Sequence, residues 1–154
     1  MPIFSRFWIN QQTGTADPER LRQHGPALQA EISIPSDLED SLQRRGAQSP
    51  LPRTGLALID TGASITAVDQ QVLAGLGLTP TDLTQVATPG GVAQQPMYSC
   101  NISFPGTPIP TLSFNVVIGS NLAPLGFSVL IGRDVLRFFQ IVYNGVEGMW
   151  TLAF

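Results

Sequence analysis

The chain has 154 residues, enough for one domain with a real core. Formal charge is −3, from 8 basic and 11 acidic residues, and every basic residue is an arginine. With charged residues at 12%, no dense basic stripe, one cysteine, one histidine and no apolar run approaching the roughly 18 residues of a membrane helix, four classes lose support. These are nucleic-acid binding, multi-cysteine metal sites, disulfide scaffolds and membrane spanning. No cofactor or metal is expected, and the reading is a soluble cytoplasmic protein. Fifteen glycines and 13 prolines imply many turns and no long helix.

Residues 1–26 read as an N-terminal arm of uncertain role. "FSRFWI" is a strand or a docking arm, because Phe4, Phe7, Trp8 and Ile9 are too apolar to be left in water. "NQQTGTADPERLRQHGP" reads as turns with a short helical piece. From residue 27 to 154 runs the main domain. "ALQAEISIP" alternates, with Leu28, Ala30, Ile32 and Ile34 on one face, which predicts a half-buried strand ended by Pro35. Residues 36–49 are the most polar stretch and read as an exposed, mobile excursion, with Ser36 and Glu39 spaced to cap a short helix.

Thr54 to Asp60 is a continuous apolar run, a buried strand that delivers a carboxylate into "DTGAS". Asp69 is placed to cap a short helix carrying Val72, Leu73 and Leu76. "TQVATPGGVAQQPMYSCNISF" reads as two β runs joined at "TPGG", a hairpin whose Pro-Gly-Gly suggests a loop longer than two residues. "IPTLSFNVVIG" and "GFSVLIG" are further short strands, "RDVLRFFQIVYN" a brief helix leading into a strand, and "GMWTLAF" a terminal strand. Strands, one or two short helices and many turns predict an all-β fold, a closed or partly closed barrel.

The triplet Asp60-Thr61-Gly62 suits the chemistry of paired acids. A lone carboxylate is a poor base, since its ordinary pKa is near 4. Two held together share one proton: one activates a water while the other donates to a substrate carbonyl. The Thr61 hydroxyl has the chemistry to lock paired loops, and Gly62 lets the backbone turn tightly and approach its counterpart. Some seventy residues on, "FSVLIGRDVLRFF" is a β run breaking at Gly132 into a helix. An ordinary turn role for Asp60 is the plainer alternative, as Asx bonding at strand ends is common.

Together, "LIDTGAS" and "VLIGRDVL" resemble the retropepsin-like aspartic proteases, the half-size, single-motif members of the pepsin clan, over about residues 27–154. The resemblance implies a retropepsin-like barrel with a β-hairpin flap. It implies Asp60 as the catalytic acid, Thr61, Gly62, Ala63 and Ser64 as the active-site loop, and Thr88, Pro89, Gly90 and Gly91 as the flap tip. Gly132, Arg133 and Asp134 become structural support beneath the loop, with Asp134 read as a helix cap rather than a catalyst. Viral members carry an Asp after the Ala, paired with the Arg of the downstream motif. Ser64 stands there in this chain, so Arg133 has Ser64, Asp134 or Glu31 as candidate partners.

No second triplet and no internal repeat occurs. A dyad therefore needs a second copy across a two-fold axis, and the expected partners are a homodimer mate and an extended peptide or protein substrate, with no nucleic acid and no membrane. The leading expectation is an aspartic endopeptidase that hydrolyses peptide bonds. The alternative is a non-catalytic binding or scaffold module of the same fold.

Overall fold

The computed structural model describes residues 1–88 and 90–154. In chain order the elements are β1 (Ile3–Phe7), α1 (Pro18–His24), β2 (Ala27–Ser33), α2 (Ser36–Arg44), β3 (Arg53–Ile59), β4 (Ala67–Asp69) and α3 (Gln70–Gly75). There follow β5 (Asp82–Thr88), β6 (Gly91–Ser103), β7 (Leu112–Ser120), a 3-10 turn at Ala123–Leu125, β8 (Val129–Ile131), α4 (Arg133–Leu136), β9 (Gln140–Asn144) and β10 (Met149–Ala153).

The expectation of an all-β, closed or partly closed barrel is overturned. Helix takes 19% of the chain and strand 43%, a mixed α/β fold with an open, non-barrel sheet. The strands divide between a seven-stranded sheet, in the order β2-β3-β8-β4-β7-β6-β5 with β2 also pairing antiparallel with β6 from Glu31↔Ser103 to Ser33↔Asn101, and a three-stranded one, β1-β10-β9, which ends in two open edges. The prolines and glycines read as turn markers also start and stop helices. In α1, Asp17 caps from outside, accepting from the Arg20 N–H, Pro18 opens the first turn and Gly25 closes the last. The polar segment after Pro35 folds as α2, with no buried residue of its own. Ser36 does not cap it: the helix begins there, and the Ser36 hydroxyl accepts from the Asn101 side chain instead.

Alternation in β2 comes out as read, with Leu28, Ala30 and Ile32 buried. They join Ala57 and Ile59 of β3, Val129 and Ile131 of β8, and Cys100 and Ile102 of β6 in the main core. The N-terminal segment packs onto this core. β1 pairs antiparallel with β10 from Ile3↔Ala153 to Phe7↔Met149. The Phe4 ring meets the fully buried Trp150 edge-on at 5.7 Å, the Trp8 indole N–H donates to Gly25 O, and Leu21 is wholly buried. Consequently the terminal strand "MWTLAF" is the centre of its sheet, flanked on both sides.

Two features of this frame position the cleft described next. β3 and β8 run parallel, Ala57↔Val129 to Ile59↔Ile131, so the two motif-bearing strands end side by side. β5 and β6 form a long hairpin, paired from Asp82↔Met97 to Thr88↔Gly91, leaving only residues 89 and 90 between the strands.

Cys100 is completely buried among apolar side chains, and burial pushes its thiol up to about 12. The folded-state value lies above the unfolded one, 9.0. Stability from this group is therefore full below pH 9 and declines as pH rises from there towards 12, because only the unfolded chain forms the thiolate. A thiol reagent is expected to leave Cys100 unmodified in native protein at pH 8 and to modify it fully in urea. Modification at equal rates in both would place the thiol at the surface.

Candidate active site

Asp60 is the first residue beyond β3. Its backbone N–H donates to Ile131 O at 3.0 Å, extending the parallel ladder by one bond past the strand end. The chain then turns: Ala63 N–H returns to Asp60 O, and Gly62 N–H donates to Asp60 Oδ1 at 2.8 Å. This bond orients the carboxylate. A β-carbon on Gly62 would sit 3.0 Å from the same oxygen, so any larger residue would have to push the Asp60 carboxylate aside by a few tenths of an ångström. Its φ is not positive, so what a side chain would disturb here is space and not backbone conformation.

The downstream motif supports this turn from beneath. Arg133 N–H donates to Ala63 O at 2.9 Å and Asp134 N–H to Ser64 O at 3.2 Å. Thr66, fully buried, links the segments through its side chain. Gly132 N–H donates to the Thr66 hydroxyl at 3.1 Å, and that hydroxyl donates to Asp134 Oδ1 at 2.9 Å. Thr66 N–H donates to Asp134 Oδ2 at 3.0 Å. Asp134 thus ties α4 to the turn, and the residue in the cap position is Gly132. Gly132 has no room for a side chain: a β-carbon would lie 2.6 Å from the Ile65 carbonyl carbon.

Arg133 takes none of the partners expected of it. Its Nη1 donates to the backbone carbonyls of Thr61, at 2.8 Å, and Gly62, at 3.2 Å. Where no carboxylate follows Ala63, the guanidinium binds the turn itself, as a charge-assisted donor to two peptide oxygens.

Asp60 opens into a cleft of about 540 Å³. Gly62, Ala63 and Ser64 line one side of it, and Thr84 to Ala87 of β5 line the facing wall. The floor is Ala67, Ile118 and Leu130. Asp60 is the only ionisable side chain among the described lining residues. Thr61 is exposed at the turn. Of the four hairpin-tip residues, Thr88 and Gly91 form the last paired step and Gly90 follows in a turn, while Pro89 lies outside the described residues. Among the described residues no group of His, Cys, Asp and Glu is placed to hold a metal ion, and no helix is long and apolar enough to cross a membrane.

Sequence reasoning missed Thr66, Gln95 and Ser120. Thr66 had a signal: a hydroxyl between Ile65 and Ala67, in a run entering the core, needs a buried partner. Gln95 and Ser120 had none, because only the sheet registers bring them to the cleft.

The model of the aspartyl protease family matches residues 52–135, more than half of the chain, including "LIDTGAS" and the downstream motif as far as Val135. No curated protein matches. Among solved structures, the chain is similar to the simian foamy virus (mac) protease at 20% identity and a TM-score of 0.44, over 73% of this chain and 93% of that one. It is also similar to a retropepsin-like aspartic protease from Rickettsia conorii, at 14% identity and a TM-score of 0.46, over 97% and 89%.

The Thr66 bridge has a measurable weight. Thr66→Val keeps the shape but leaves Gly132 N–H without an acceptor and Asp134 with one donor fewer. Urea unfolding is expected to show a loss of about 1–3 kcal/mol. An unchanged midpoint would mean that the hydroxyl does not hold the two loops together.

Proposed function

The chain belongs to the aspartyl protease family, and from that premise we propose that it is an aspartic endopeptidase whose dyad is Asp60 from two copies of the chain. The observation that carries this reading is the lone acid among the described residues of the cleft. Asp60 is oriented by its own turn, lines a cleft whose facing wall is part of the β5–β6 hairpin, and has no second carboxylate among the described lining residues. The chemistry of a paired acid then requires a second copy, with Asp60 meeting its twin across a two-fold axis.

In that pair the two carboxylates share one proton. The ionised one takes a proton from a bound water, which attacks the scissile carbonyl carbon. The protonated one donates to the carbonyl oxygen, giving a neutral tetrahedral diol. Collapse of the diol breaks the C–N bond as a proton passes to the departing amine. Thr61, exposed at the turn, is the group available to bond across to the twin loop. The residues 88–91 act as the tip of a flap, and an extended peptide lies between hairpin and floor, held by backbone hydrogen bonds.

The surfaces left for the second copy follow from the three-stranded sheet. β10 is paired on both sides, so the open edges are those of β1 and β9. Phe7 and Val142 stand about half exposed on them. The competing reading, a binding module of the same fold, uses the same cleft without turnover.

The test is cleavage of a diverse peptide mixture by wild type and Asp60→Asn, each at a low and a high protein concentration. Activity is expected to fall at least about 10³-fold in the variant, and in dilute wild type to rise faster than linearly with concentration. Cleavage that persists in Asp60→Asn would remove Asp60 from the chemistry. Peptide binding without cleavage by either protein would favour the binding module.

A further inference from the structure

The floor of the cleft is ordered in rows. Leu130, Ala67 and Ile118 are directly opposite one another across β8, β4 and β7, so they share one face and form an apolar row. Two residues further along β7 on the same face stands Ser120. Two residues back from Met97, the β6 partner of Ile118, stands Gln95, and Thr84 of β5 pairs directly with it. The second row is therefore polar: Ser120, Gln95, Thr84. Strand geometry sets the rows roughly 6–7 Å apart, about the reach of one side chain.

The second row is partly satisfied by itself. The Ser120 hydroxyl donates to Gln95 Oε1 at 3.0 Å. That fixes which end of the amide is occupied, and the Gln95 amide N–H groups and the Thr84 hydroxyl have no hydrogen-bond partner among the described residues. Both side chains are half-buried in the cleft wall.

We infer that this two-row subsite selects a glutamine side chain of the substrate, its methylenes on the row of Leu130, Ala67 and Ile118 and its carboxamide against Gln95 and Thr84. The substrate oxygen accepts from the Gln95 amide, and the substrate NH2 donates to the Thr84 hydroxyl. An apolar side chain of the same length would cover the Gln95 donors without pairing them, which is the costly case. Among the described lining residues Asp60 is the only charge, so a carboxylate would find no cation there to receive it, and a lysine or arginine no acid but the one needed for chemistry. This substrate class rests on the endopeptidase reading of the same site, but the subsite itself does not require turnover.

The test profiles cleavage of a library of neutral decapeptides, with products sequenced by mass spectrometry, for wild type, Gln95→Leu and Ser120→Ala. Wild type is expected to favour glutamine over leucine by about tenfold at one fixed position relative to the scissile bond. Gln95→Leu should reverse that preference while still cleaving leucine peptides, and Ser120→Ala should weaken it by freeing the Gln95 amide to rotate. If no protein cleaves, the same library is scored for binding to wild type and Gln95→Leu. Glutamine enrichment that Gln95→Leu abolishes would support the subsite while the endopeptidase reading fails. Equal acceptance of leucine and glutamine by wild type, or a glutamine preference that survives Gln95→Leu, would overturn the inference, as would no enrichment in either readout.

Discussion

Everything at the cleft depends on one short relay of hydrogen bonds, from Gly132 N–H to the Thr66 hydroxyl and on to the Asp134 carboxylate. It joins two segments some seventy residues apart at the point where both leave the sheet. β3 and β8 bring the segments together as parallel neighbours, but pairing alone stops at the strand ends. Beyond them the backbone polar groups of the turn need partners, and a buried group left unpaired is costly. Thr66 and Asp134 supply side-chain partners, and the close packing of Gly132 on Ile65 leaves the turn no room to slide. Asp60 is therefore held by the frame on its backbone side and left open on its carboxylate side.

The charge distribution follows from the same arrangement. Arg133 points to the turn carbonyls of Thr61 and Gly62, so a cation braces the loop without pairing to an acid. Asp134 is occupied by Thr66 and by the Val135 N–H. Neither charge is a lining group of the cleft, and Asp60 stands as the single ionisable side chain among its described lining residues. That isolation is what the proposed pairing of Asp60 with its twin answers, since paired carboxylates can divide the roles of base and acid between them.

Much of this was legible in residues 54–69 and 127–139. The apolar runs entering "DTGAS" and leaving through "GRD" marked two strand ends, and Gly62 marked the tight turn after the first of them. The hairpin around 88–91 and the cap at Asp69 were equally readable, because turn chemistry and capping are local. What could not be read was long-range. The partner of Arg133 is a pair of backbone carbonyls, which carry no residue signature. Gln95 and Ser120 meet only through the registers of β5, β6 and β7. The barrel expectation failed because the short helices, each read locally from its turn and cap residues, add up with α3 and α4 to 19% of the chain. It failed also because the N-terminal arm pairs with β10 inside the chain, building a separate open sheet.

The most direct test of a site built from two copies is a subunit-mixing measurement. Wild type and Asp60→Asn are unfolded, mixed in equal amounts and refolded together, and peptidase activity is compared with wild type at the same total protein. If each site needs Asp60 from both chains, random pairing leaves about one quarter of the activity. If one chain carries a complete site, about one half remains, and the self-paired dyad is contradicted.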